Sequence, residues 1–179
     1  REAAFDVVKE VEKKYPDCGV EIYNIFSKDM EKALKEWAYD FVIGPMADLS
    51  KNVDYDLMYR DFYVLVVPKR YDLETYAEYG EQGSFPVIDM KKLPPMDYIF
   101  QDETTFVRKG INRILEKQKL SIAPRLVVTS STLALQAAEN GFGCCIVSTG
   151  HLAYLNQSAN LKVYLIRAMQ HFSSSENIL

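Results

Sequence analysis

Two hydroxyl-rich segments are the residues best suited to hold a small ligand. Thr129-Ser130-Ser131-Thr132 and Glu103-Thr104-Thr105-Phe106 each stand just ahead of a helical pattern. A helix start exposes unpaired N–H groups and a partial positive charge, so hydroxyls there complete a cradle for carboxylates and other anions. The segment around Ser130 and Ser131 is the better cradle, with hydroxyl and backbone N–H side by side. A third candidate is Ile43-Gly44-Pro45-Met46, where Gly44 permits close backbone approach to a ligand. Each Ser or Thr is equally suited to plain N-capping, and on the residues alone capping is the preferred reading. Asp102 and Glu103 stand against a simple anion pocket. They suit a ligand's ammonium group or plain solvation, and solvation is the preferred reading.

The inventory for catalysis is poor. The two histidines are His151 and His171, and Cys144 and Cys145 lie in an apolar run, where a thiol is usually a small core group. Neither metal-ligand spacing nor a phosphate-loop motif is present, so no cofactor is expected. Tyr55, Tyr59, Tyr63 and Tyr71 show no base-stacking pattern and read as core or interface. The formal net charge of -4 gives no basic footprint for nucleic acid, so any DNA contact is expected from a domain outside this chain. No apolar run approaches the roughly 18 residues that span a bilayer, and the opening residues do not form a secretory signal. Three cysteines, two adjacent, argue against a disulfide framework and for a reducing, cytoplasmic setting.

The elements that would position these residues follow from periodicity. Ala4, Val7, Val8, Val11 and Tyr15 recur at helical spacing up to Pro16, which predicts a helix over 2–15. Val20 to Ile25 reads as a strand, then Ser27 as N-cap of a helix carrying Met30, Leu34 and Trp37 on one face. Asp40 to Ile43 reads as a buried strand closing at Gly44-Pro45, which completes a β-α-β unit. Further strands are expected at Phe62–Val67, Tyr98–Phe100, Leu126–Val128, Cys144–Val147 and Leu161–Ile166. Helices are expected around Val107–Leu115 and Leu133–Ala138. Strands alternating with helices define an α/β protein, and 179 residues are too few for a typical eight-unit barrel, so a doubly wound order is expected.

Three segments in order resemble the effector-binding domain of bacterial LysR-type transcriptional regulators. The first runs from Lys14-Tyr15-Pro16 through Val20-Glu21-Ile22 and a helix to Tyr39-Asp40-Phe41-Val42-Ile43-Gly44. The second is Tyr98-Ile99-Phe100, a polar loop, and Arg108 early in a helix. The third is Val128-Thr129-Ser130, a helix, and Glu139-Asn140-Gly141-Phe142-Gly143 before the Cys144–Val147 strand. Order and spacing carry the likeness, which covers nearly the whole chain.

The resemblance implies the fold of type-2 periplasmic binding proteins: two Rossmann-like lobes with a ligand cleft between them. One lobe is expected to hold 1–66 and 149–179, the other 67–148. It implies a small-molecule effector, carboxylate-bearing by the cradle argument, held at Gly44, Pro45, Thr104, Thr105, Ser130 and Ser131. It also implies no catalysis and no membrane partner, and a homodimer or higher homo-oligomer formed by the helix over 2–15 against the strand over 20–26. Control of DNA would pass through a winged helix-turn-helix domain not in this chain. An extracellular solute-binding protein of the same fold is the competing reading. The family's opening strand is expected before Arg1, and a longer connector near Arg167.

Overall fold

A computed structural model describes residues 2–25, 29–44, 53–56, 61–80, 85–151 and 160–167. The chain divides into two compact units, Arg1–Tyr55 and Asp56–Leu179.

The first unit opens with α1, Glu2–Lys14, as the periodicity predicts. Lys13 and Lys14 complement the negative end of its dipole. Pro16 stops it, and the chain turns through a Cys18 N–H bond to the Tyr15 carbonyl. The second helix, α2, is a short Met30–Lys35, with Asp29 rather than Ser27 at the N-cap position; Ser27 lies outside the described residues. Trp37 departs from expectation. It has passed the helix end, takes a left-handed φ of 55°, and is 91% exposed. A Trp37 N–H bond to Leu34 and an Ala38 N–H bond to Ala33 close the helix there, which turns the indole off the Met30–Leu34 face.

The expected strands at 20–25 and 40–43 are not strands among the described residues. A strand exists only through its ladder, and every described ladder belongs to the second unit. Tyr23 instead packs on Tyr39, ring centroids 5.6 Å apart. Among the described residues every fully buried apolar side chain also lies in the second unit.

That unit is built on one seven-stranded sheet. Its strands are β1 (Tyr63–Pro68), β2 (Ala77–Glu78), β3 (Val87–Ile88), β4 (Tyr98–Gln101), β5 (Leu126–Val128), β6 (Cys144–Ser148) and β7 (Leu161–Ile166), in the spatial order β2-β3-β7-β1-β6-β4-β5. The five longer strands fall where the sequence predicts them. β4 runs parallel to both β5 and β6, whereas β1 is antiparallel to β6 and β7. Two helices cover the sheet, α3 (Phe106–Gln118) and α4 (Ser131–Glu139).

The side-chain alternation of β1 shows how the core is shared. Leu65 and Val67 pack with Phe100, Ile111 and Ile146 on the α3 face, while Val64 and Val66 pack with Ile99, Leu135 and Val147 on the α4 face. Cover on both faces is why the run Phe62–Val67 is continuously apolar instead of alternating. Each such aliphatic side chain contributes about 1.5–3 kcal/mol on burial. Cys144 and Cys145 obey the same rule: one lies in each core, both as free thiols.

Gly143 sets the entry into β6. It has a φ of 157°, and a Cβ there would lie 2.6 Å from the Asp97 carbonyl oxygen. Asp97 also accepts the Cys144 N–H at 2.8 Å, so backbone on both sides is fixed. Gly143→Ala is therefore expected to destabilise the protein by about 1–3 kcal/mol, the usual range for forced overpacking, measured by urea denaturation. Gly19→Ala, with open space around its Cβ, is the control expected to change little.

Candidate effector site at the carboxyl edge of the sheet

Because β5, β4 and β6 are parallel, their carboxyl ends fall on one edge of the sheet. The loops leaving them are 102–105, 129–130 and 149–151, and the Asp102 N–H bonds the Val128 carbonyl at 2.8 Å, which ties the first two together. The antiparallel start of β1 reaches the same edge, Tyr63 opposite Ser148.

Four of the six expected site residues come together here. Thr105 is the N-cap of α3: its hydroxyl oxygen accepts the Arg108 N–H at 3.2 Å and its proton goes to the Asp102 carbonyl at 2.8 Å. Thr104 donates both its N–H and its hydroxyl to the Asp102 carboxylate, at 3.0 and 2.7 Å. Ser130 is the N-cap of α4, accepting the Leu133 N–H at 3.2 Å. Ser131, the first residue of α4, is buried and accepts a bond of 3.3 Å from the Gln101 amide. Gly44 is exposed and belongs to the first unit, where a Cβ would meet only the flexible end of Met30. Pro45 lies outside the described residues.

Capping thus accounts for Thr105 and Ser130, and the Asp102 turn accounts for Thr104. The Thr104 hydroxyl, and after it the Thr104 N–H, hold the Asp102 carboxyl below its usual range.

Three residues matter here that the pattern of hydroxyls does not reveal. Gln101 ends the apolar strand Tyr98-Ile99-Phe100 and is almost wholly buried. Its amide N–H donates to Ser131 and, at 3.2 Å, to the Ile146 carbonyl, while its own Oε1 is buried with no partner. Arg108 is nearly as buried. Its guanidinium lies 4.6 Å from the Phe100 ring centroid, pairs with Glu103 at 2.7 Å, and donates to Asn112 at 2.7 Å and the Gln101 carbonyl at 3.5 Å. This cation fastens the 102–105 loop to the strand beneath it. Asp61 does the same on the β1 side, accepting the N–H groups of Phe62 and Gly150, each at 3.0 Å, and the Thr149 hydroxyl. The signal for Gln101 and Arg108 was a polar residue set against an apolar run.

The thiols face inward. Burial pushes the Cys144 thiol up to about 12 and raises that of Cys145 as well. Among the described residues no three His, Cys, Asp or Glu side chains gather to hold a metal ion. No described helix is long and apolar enough to cross a membrane.

Parallel strands delivering capped helix starts to one sheet edge give the arrangement of an open α/β sheet, the class of fold in which ligands bind beyond the carboxyl ends of the strands. The chain belongs to the LysR substrate binding domain family, whose pattern it matches over residues 4–172. It is 28% identical over 146 residues to an uncharacterized HTH-type transcriptional regulator of Methanocaldococcus jannaschii, a match covering 79% of this chain and 46% of the relative. The chain therefore spans less than half of that relative's length. Its fold is that of the effector binding domain of QuiR in complex with shikimate, at a TM-score of 0.72 and 19% identity over 91% of this chain and 73% of that one. The Synechocystis CcmR regulatory domain in complex with 2-PG gives 0.71 and 16% over 94% and 76%. The BenM effector binding domain with benzoate gives 0.66 and 16% over 90% and 70%.

The buried thiols give a test of the sheet around this edge. The folded protein keeps both thiol protons at pH values where unfolded thiols, near ~8.5, lose theirs. Their contribution to stability is complete below about pH 8.5 and is lost as pH climbs toward the folded values. The unfolding free energy is expected to fall above that pH by up to about 1.4 kcal/mol per pH unit per thiol, read from urea titrations at stepped pH. Replacing Cys144 and Cys145 with Ala is expected to flatten that decline.

Proposed function

We propose that this chain is the effector-sensing domain of a LysR-type regulator, binding a small carboxylate-bearing metabolite and controlling an attached winged helix-turn-helix domain. The family match over nearly the whole chain carries the reading. The helix starts at Ser130 and Thr105 supply its chemistry, since N–H groups and dipoles there favour an anion, each by about 0.3–1 kcal/mol. That gain is modest, so direct hydrogen bonds must provide selectivity. The HTH-type relative favours regulation over both solute transport and catalysis, and a reducing, cytoplasmic setting agrees with three free cysteines.

In this reading the effector is held at the loops that follow β4 and β5. The lobe division expected from the sequence, 1–66 with 149–179 and 67–148, is part of the same proposal.

Shikimate, 2-PG and benzoate serve as probes. We expect at least one to raise the melting temperature and titrate calorimetrically, and Ser130→Ala to weaken it several-fold while costing about 1 kcal/mol of capping stability. Equal affinity in parent, Ser130→Ala and Thr104→Val would rule out these loops as the site.

A homodimer through α1 and the 20–25 segment is part of the same proposal. Phe5, Ile22 and Tyr23 are each more than half exposed, a density of apolar surface that a second copy would cover. Light scattering is expected to show a dimer for the parent chain and a monomer for Ile22→Lys; a monomeric parent at high concentration would remove the dimer from the proposal.

A further inference from the structure

We propose that Arg108 and Asn112 on α3 form a carboxylate receptor that Glu103 fills from within the chain, and that the carboxylate of a small organic acid takes Glu103's place there. The receptor is an anion site apart from the helix starts at Ser130 and Thr105, and it stands whether or not they hold an effector.

The two donors are built independently of Glu103. Arg108 and Asn112 are four residues apart, so they lie on one face of α3. The guanidinium lies 4.6 Å from the centre of the Phe100 ring and donates to the Gln101 carbonyl at 3.5 Å. Its Nε donates to Asn112 Oδ1 at 2.7 Å. That bond takes the amide oxygen, so the amide nitrogen is the end of Asn112 left to meet an acceptor. Glu103 then receives one donor on each oxygen, Arg108 Nη2 on Oε1 at 2.7 Å and Asn112 Nδ2 on Oε2 at 2.9 Å. A planar carboxylate is the group this pair of donors fits.

The occupant is less firmly placed than its receptor. The Arg108 side chain is 10% exposed, whereas that of Glu103 is 66% exposed. Glu103 thus reaches a buried cation from the solvent side, and among the described residues it is the one carboxylate bonded to Arg108. A buried guanidinium left without a counter-charge is costly, so whatever displaces Glu103 must bring an anion of its own. A tethered group competes like a ligand at a fixed effective concentration, and a free acid has to outcompete it. The arrangement also accounts for an acidic residue on a loop suited to anions, since the Glu103 charge is spent on Arg108. Glu103 lies between Asp102 and Thr104. An acid that displaces it therefore unfastens the middle of the loop that carries them, which couples the receptor to the candidate site.

Acetate is the probe, with acetamide as its uncharged counterpart and ionic strength held constant with chloride. Binding to the whole chain is followed by the Arg108 Nε–H and Asn112 Nδ2–H resonances. In Glu103→Ala, which empties the receptor, acetate is expected to shift both resonances saturably and acetamide neither. The parent is expected to bind acetate at least about tenfold more weakly, because Glu103 competes. Adding Asn112→Ala to Glu103→Ala is expected to weaken acetate several-fold. The proposal is overturned by the absence of a saturable shift, by an equal response to acetamide, by equal acetate affinity in parent and Glu103→Ala, or by unchanged affinity on adding Asn112→Ala. Should Glu103→Ala not fold, the parent at high acetate decides. There the Glu103 side-chain carboxyl resonance is expected to move together with those of Arg108 and Asn112, and a stationary Glu103 would overturn the proposal. Binding of shikimate, 2-PG or benzoate is read separately through Ser130→Ala, so a failure there falls on the effector-site reading and leaves the acetate result to judge the receptor.

Discussion

β1 and β6 lie side by side at the centre of the sheet, buried on both faces, and their backbone groups have no access to water. Every N–H and carbonyl in them must therefore find a partner in a neighbouring strand. β1 answers this by pairing on both sides, with β6 and β7, and β6 by pairing with β1 and β4. Once that register is set, Tyr98 and Ile99 are opposite Cys144 and Cys145, β5 follows β4, and the ends of three parallel strands are level. The edge that gathers Asp102, Thr104, Ser130 and Ser131 is thus a consequence of ladder satisfaction deeper in the sheet. Asp61 matters for the same reason: where β1 begins and β6 ends, its carboxylate accepts N–H groups that the ladder no longer reaches.

The second unit was legible because its strands are apolar on both faces. Runs such as Val64–Val67 and Cys144–Val147 have one structural solution, a covered central strand, and the sequence reading placed them within a residue or two of their observed bounds. The helix starts were legible too, since Thr105 and Ser130 precede apolar periodicity and both do cap. The first unit was harder to read for a physical reason. Val20–Ile25 and Asp40–Ile43 have the composition of strands, but composition supplies no ladder, and exposed groups such as Ile22 and Phe41 show that burial does not impose one in the described chain. Trp37 misled in the same way: helical spacing marks a face only while the helix continues, and α2 stops at Lys35.

The candidate site was legible by residue type and illegible by polarity. A sequence shows that Thr104 and Ser131 carry hydroxyls, yet a hydroxyl gives one proton and accepts through its lone pairs, and which of these is free depends on neighbours far along the chain. Ser131 takes its partner from Gln101, thirty residues away. Thr104, by contrast, is claimed by Asp102 two residues before it. The same side-chain chemistry therefore ends in opposite roles on the two loops.

Gln101 shows why such a residue persists in an otherwise apolar layer. Leucine there would remove the buried unpaired oxygen, which costs on the order of 1–3 kcal/mol, and would fill the space between β4, β6 and α4 with carbon. It would also leave the Ile146 carbonyl with one bond fewer and free the Ser131 hydroxyl to rotate. A glutamate would keep the shape but present only acceptors when ionised, so neither the Ile146 carbonyl nor Ser131 could be served as they are now. Glutamine alone among these three gives N–H to both. The orphan oxygen is the cost of a donor held rigidly beneath the first turn of α4, and that rigidity fixes which way Ser131 can bond.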